Sequence, residues 1–226
     1  MAEIRGIDAN AIYDIKFLNE SHLSQILHLQ DIIKENLADP ATYYAGTHEL
    51  FSRQLAIDKS VIGIFKMDQL VGFNVALLPG LNEDNFGVDI GLHQEELAQV
   101  VQFGPVAVHP EHRNKGLLGK LIEKHLEVIE ETEYRHVCLT IAPNNYPSIK
   151  RTLTYGFVIK HLKQKYGSLL RYVLHLDLKK PYTKPRYIVK ISSIDIESQR
   201  FMMQLGFYGY GMSLNNNGID INFGLQ

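Results

Sequence analysis

Cysteine is almost missing from this chain of 226 residues: Cys138 is the only one, and a lone cysteine forms no intramolecular disulfide. A reducing compartment, the cytoplasm, is therefore expected, with Cys138 filling core space inside the apolar run from His136 to Ile141. A basic surplus is missing too. The 23 Lys and Arg face 25 Asp and Glu, which leaves no excess cation for a polyphosphate backbone and argues against nucleic acid as the principal partner. No apolar run approaches the roughly 20 residues that span a bilayer. The opening MAEIRGIDANAIYDIKFL has no basic region leading into a long apolar stretch, so neither a signal peptide nor a membrane partner is expected. Ten histidines invite a metal, but the closest pair, His109 and His112, straddles a proline turn with no Cys or further His at ligand spacing. No metal site is expected on that pattern.

What is present reads as one ordinary globular core, with an apolar share of 45%, plus an extension. Tyr13 to Leu18 predicts a strand, and Asn19 or Ser21 caps a helix with Leu23, Ile26, Leu27, Ile33 and Leu37 on one face. Asp39-Pro40 breaks it, and Tyr43 to Leu55 predicts a second helical segment whose Tyr43, Tyr44 and Phe51 serve as core or as pocket lining. Ser60 to Phe65 and Leu70 to Leu78 flank the turn-like Lys66-Met67-Asp68-Gln69 and predict an antiparallel hairpin. Pro79 to Gln99 is a long insertion, helical over His93 to Val100, whose Asp84, Asp89, Glu95 and Glu96 are candidates to face an amine.

The densest information lies from Val100 to Leu126. An apolar strand, Val100 to Val108, stops at His109-Pro110, where proline removes a ladder donor. A basic turn, Arg113-Asn114-Lys115, then meets Gly116, which opens a helix with Leu118, Leu121, Ile122, His125 and Ile129 on one stripe. First-turn amides have no intrahelical acceptor and sit at the positive end of the macrodipole, so this arrangement suits a phosphate. Downstream, Arg135 to Ile141 predicts a strand and Pro147 to Tyr155 a short helix closed by Gly156-Phe157. A hairpin, Val158 to Tyr166 and Leu169 to Leu178, turns on Tyr166-Gly167-Ser168. The sum is α+β, a mixed, mostly antiparallel sheet with helices on both faces.

With Arg113-Asn114-Lys115-Gly116-Leu117-Leu118 and the run Asn145-Tyr146-Pro147-Ser148 to Gly156-Phe157 in this order, the chain resembles the GCN5-related N-acetyltransferases (GNAT superfamily) from Ile12 to Leu178. The first stretch is similar to that family's acetyl-CoA motif Q/R-x-x-G-x-G/A, departing at Leu118, with Gly119 supplying a small residue one place late. The resemblance implies acetyl-CoA as cosubstrate and an amine as acceptor. It implies that backbone groups of Val106, Ala107 and Val108 pair with the pantetheine arm and that Arg113 through Gly119 take the diphosphate. Asn145 and Ser148 would bond the arm from the other side, and an amide near Val106 would stabilise the oxyanion where Gly104-Pro105 introduces a bulge. The leaving thiolate is often protonated in this family by a tyrosine seven residues after the motif asparagine; that position is Thr152, with Tyr155 the alternative. Asp89, His93, Glu95 and Glu96 are candidate bases. Two further readings stay open: an acyl-CoA-binding sensor or interaction module with little catalysis, and transfer of a longer acyl chain.

The resemblance divides the chain into an acetyltransferase domain, 1–180, and an extension, 181–226. A gapless shift of fifty residues lays Ile141 on Ile191, Asn145 on Asp195, Ser148 on Ser198, Lys150 on Arg200 and Gly156-Phe157 on Gly206-Phe207. A strand, a short helix and a hairpin turning at Asn215-Asn216-Asn217-Gly218 are expected there. A degraded half-repeat and convergence on a common pattern both fit, and a homodimer is left open.

Overall fold

Strand β1 (Tyr13–Phe17) is followed by α1 (Leu23–Glu35), whose buried Ile26, Leu29 and Ile33 recur at helical spacing. The next helix, α2 (His48–Leu55), starts later than the expected Tyr43, because Thr47 caps it by accepting from the Leu50 amide at 3.1 Å. Gly46 lies against the Phe51 ring, where a Cβ would come within 2.6 Å. The hairpin β2 (Val61–Lys66) and β3 (Gln69–Leu77) turns through Met67 at φ 54°. A single turn, α3 (Phe86–Asp89), lies in the insertion, and another, α4 (Gln94–Leu97), is all that forms of the helix expected over His93 to Val100. Strand β4 (Val100–Val108) has the expected bounds, and α5 (Leu117–Glu130), β5 (His136–Ile141), α6 (Tyr146–Leu153), β6 (Val158–Lys165) and β7 (Leu169–Asp177) follow. The chain closes with β8 (Tyr187–Ser192), α7 (Ile196–Gln204), β9 (Tyr208–Asn215) and β10 (Gly218–Leu225).

This computed structural model describes residues 13–183, 185–216 and 218–225. Residues 1–12, with most of the opening stretch and Ile12, lie outside it, as do Lys184, Gln226 and Asn217 of the expected last turn. The ten strands form one sheet in the order β1-β2-β3-β4-β5-β7-β6-β9-β10-β8. All neighbours are antiparallel except β4 and β5.

Helices α1 and α2 cover one face, with Ile26, Leu29, Phe51 and Leu55 packed on Phe65, Phe73 and Val75. Helix α5 lies on the other face. Its Leu117 and Leu121 meet Ile62, Ile64 and Val71, while Ile122, Leu126 and Ile129 join a core with Leu139, Ile141, Tyr172 and Leu174. Burying such a side chain fully is worth roughly 1.5–3 kcal/mol, so this stripe of α5 pins the helix and holds its N-terminus still. No helix among the described residues is long and apolar enough to cross a membrane.

Candidate functional site

Two strands that run together and then part make the floor of the site. β4 and β5 pair only over Val100–Gln102 and His136–Cys138. Past that point β4 bulges against β3, with Phe103 opposite Ala76 but Val106 opposite Asn74, so one extra residue is taken up around Gly104-Pro105. Proline lacks the ladder donor and glycine packs weakly, which localises the bulge. The gap opens into a cavity of about 900 Å³, within the range of small-molecule sites.

On the α5 face, the cavity wall includes Val106, Leu118, Asn145, Ser148 and Thr152. Asn145 caps α6 by accepting from the Ser148 amide at 3.4 Å, so both are fixed by the helix start. Of the two candidate proton donors only Thr152 reaches the wall, where it is buried. Tyr155 lies outside it, with its hydroxyl 2.7 Å from where a Cβ on Gly119 would stand, and burial pushes its pKa up. Gly119 is therefore a close-contact residue between α5 and α6. Ala107 faces the α1 and α2 core, Val106 and Val108 pack with the α5 cluster, and of these three positions Val106 lines the cavity.

At the head of α5 the turn takes two left-handed residues, Asn114 at φ 61° and Gly116 at φ 76°. A Cβ on Gly116 would meet nothing within 4 Å, and no side chain caps the helix. Among the described residues, the amides of Asn114, Lys115, Gly116, Leu117, Leu118 and Gly119 donate to no protein acceptor; the first to do so is Lys120, to the Gly116 carbonyl at 3.2 Å. Arg113, Asn114 and Lys115 are exposed around them, and Lys115 donates to the Glu111 carbonyl at 3.0 Å. Neighbouring His109, Glu111 and His112 bring ligand-type atoms within 4.8 Å of one another, but His112 Nδ1 is already paired with the Tyr13 hydroxyl at 2.8 Å.

The candidate bases are placed elsewhere. Asp89 is held by Lys163 at 2.6 Å and Lys165 at 2.7 Å, and Glu96 accepts from the His93 amide at 3.1 Å and faces Arg135. Neither these nor Glu95 and His93 line the cavity; Asp84, exposed at its edge, is the one carboxylate among the described lining residues. Sequence reasoning missed three further lining residues, Asn74 on the α5 side and Tyr166 and Arg171 on the opposite side. Asn74, 1% exposed, bonds His125 Nδ1 at 2.7 Å, and burial lowers the His125 pKa to about 4, so that imidazole is neutral. Tyr166, expected only as a turn, pairs its hydroxyl with Thr140 at 2.9 Å and stacks on Tyr44. Arg171 lines the same wall, and a cation inside the apolar run Leu169 to Leu176 was the one signal that could have found it.

A family model described as an acetyltransferase (GNAT) domain matches residues 14–158. Solved structures share the fold. The loading GNATL domain of CurA from Lyngbya majuscula is 20% identical, over 74% of this chain and 98% of that one, with a TM-score of 0.57. A GNAT-family acetyltransferase from Streptococcus pneumoniae is 12% identical over 74% and 99%, with a TM-score of 0.57. The yncA protein of Salmonella typhimurium, solved with its cofactor acetyl-CoA, is 16% identical over 77% and 99%, with a TM-score of 0.55. No curated protein matches the chain.

Proposed function

The chain belongs to the acetyltransferase (GNAT) domain family, and from that premise we propose that it is an acetyl-CoA-dependent N-acetyltransferase acting on a primary amine. The observation that carries this reading is the row of amides from Asn114 to Gly119 without protein acceptors, beside a cavity between parted strands. That row fits a diphosphate: it offers several donors, a positive helix end and the open space over Gly116. The pantetheine arm then follows β4 past Val106, with Asn145 and Ser148 across from it. The catalytic domain is taken as 1–180, with 181–226 as an extension.

Acetyl transfer forms a bond from the amine nitrogen to the acyl carbon and breaks the bond to sulfur. The amine gives up a proton and the thiolate gains one. In this reading an amide near Val106, at the β4 bulge, meets the charge developing on the carbonyl oxygen. An amine resembling lysine has a pKa of about 10, and the cations of the cavity wall lower it, which favours the neutral nucleophile. Asp84 at the edge, or solvent, takes the proton. Thr152 is too weak an acid to supply the thiolate, so solvent does, or the Tyr166 phenol. A sensor reading gains some support from the same poverty of acids and bases in the cavity.

Calorimetry with CoA and acetyl-CoA, followed by thiol release over an amine panel, tests these readings. Binding with amine-dependent release is expected. Binding with no release above hydrolysis on any amine would favour the sensor, and no binding would remove both.

A further inference from the structure

Strand alternation puts Arg171 on the face of Val173, which packs with Phe86 and Cys138, whereas Tyr172 faces the core under α5 and α6. Arg171 therefore lies across the sheet from the α5 cradle. It is 3% exposed and lines the cavity. A guanidinium has five N–H donors. Two are used, on the Leu170 carbonyl at 2.9 Å and the Ala41 carbonyl at 2.7 Å, and among the described residues no carboxylate pairs with it. The nearest acid by charge, Asp39, is occupied by the Ala41 amide at 2.9 Å and by Asn144 at 2.8 Å.

A buried cation without a counter-ion is costly unless an anion joins it. The surroundings make the imbalance larger. Lys163 sits opposite Arg171 in the β6/β7 register, Lys165 lines the cavity, and both share the single carboxylate of Asp89. Arg53, exposed at the mouth, has no ion pair among the described residues either.

We propose that the acceptor amine also carries an oxyanion, a carboxylate or a phosphate, which Arg171 binds inside the cavity and Arg53 guides at its mouth. This rests on the transferase reading above and specifies its substrate class. The same field that holds the anion disfavours an ammonium beside it, so one set of cations both selects the substrate and keeps its amine reactive.

The test is thiol release by the full chain with acetyl-CoA over matched amines: L-amino acids against their amides for the carboxylate arm, and glucosamine 6-phosphate against glucosamine for the phosphate arm. A kcat/KM at least about tenfold higher for the anionic member in one arm is expected, since charge-assisted hydrogen bonds are the strong ones; the arm that responds identifies the anion. R171Q should raise KM for that acceptor by about a hundredfold while the acetyl-CoA Kd stays put, a split that a merely structural role for the Ala41 contact would not produce. R53Q, at an exposed position, should raise the same KM about threefold and serves if R171Q does not fold. Equal turnover of both members of every pair, or no turnover of any anionic amine by protein that binds acetyl-CoA, overturns the proposal. Failure of the wild-type chain to bind acetyl-CoA overturns the transferase reading instead, and this inference with it.

Discussion

Two strand-helix-hairpin units stand fifty residues apart, β5-α6-β6-β7 and β8-α7-β9-β10, and they join where Ile159 of β6 pairs with Gly209 of β9, each fifty residues from the other. Their details repeat. Asn145 and Asp195 both cap by accepting from a serine amide three residues on, and Gly156 at φ 85° matches Gly206 at φ 88°. The sheet order β5-β7-β6 reads back as β9-β10-β8. Only the first unit lies beside β4 and α5; β8 ends the sheet, with Tyr187 and Ile188 exposed. The contrast assigns the candidate chemistry to neighbours. A strand, a capped helix and a hairpin supply one wall, and a site arises only where a bulged parallel strand leaves a gap and a glycine-opened helix leaves amides free.

The largest effect is expected from Gly116→Asp, which adds bulk and a negative charge at the open helix end. Acetyl-CoA affinity by calorimetry should fall more than about a hundredfold, whereas Asp195→Asn in the second unit should leave it unchanged. If both variants weaken binding alike, the two units are not functionally distinct.

Next in size is Gly209→Val at the junction. A Cβ at Gly209 already meets Ile159 at 3.0 Å and Ile221 at 3.1 Å, so the extra bulk should cost about 1–3 kcal/mol of stability in denaturant titration. Acetyl-CoA affinity of the folded protein should not move. A parallel loss of affinity would show that the extension holds the cradle in place.

Acid should loosen the same junction. Burial, with His136 beside it, lowers the His175 pKa from 6.5 to about 3, and its Nδ1 meets the Tyr182 hydroxyl at 2.9 Å, next to Tyr208 of the second unit. A histidine depressed in the folded state stabilises fully above its unfolded pKa, and that contribution is lost as pH falls toward the folded one. The melting temperature should therefore decline from about pH 6.5 toward pH 4, and His175→Gln should flatten the slope. An unchanged slope would place the acid sensitivity in other groups, such as His125.

The smallest expected change is from Thr152→Ala, a loss of turnover of no more than about threefold, because a threonine hydroxyl is a poor acid near neutral pH. A collapse by orders of magnitude would make Thr152 the proton donor.

Much of the framework was legible because it is local. The apolar run and His109-Pro110 bounded β4 at Val100 and Val108, and the 3.6-residue stripe of α5 followed from Leu118, Leu121 and Ile122. The start of α2 was missed although its signal, the Thr47 cap on the Leu50 amide, is local too. The acidic residues of the insertion misled for a different reason. Asp89 looks like any surface acid in the chain, and only the fold brings Lys163 and Lys165 to it from 74 and 76 residues away. The Arg171 environment is likewise assembled from Ala41, Tyr166 and Leu170, and periodicity carries no information about such contacts.

The most direct measurement is a crystal structure of the full chain with acetyl-CoA. The account predicts the diphosphate on the amides between Asn114 and Gly119 and the thioester in the gap between β4 and β5. A diphosphate bound elsewhere, or that turn left without ligand while the coenzyme is bound, would contradict it.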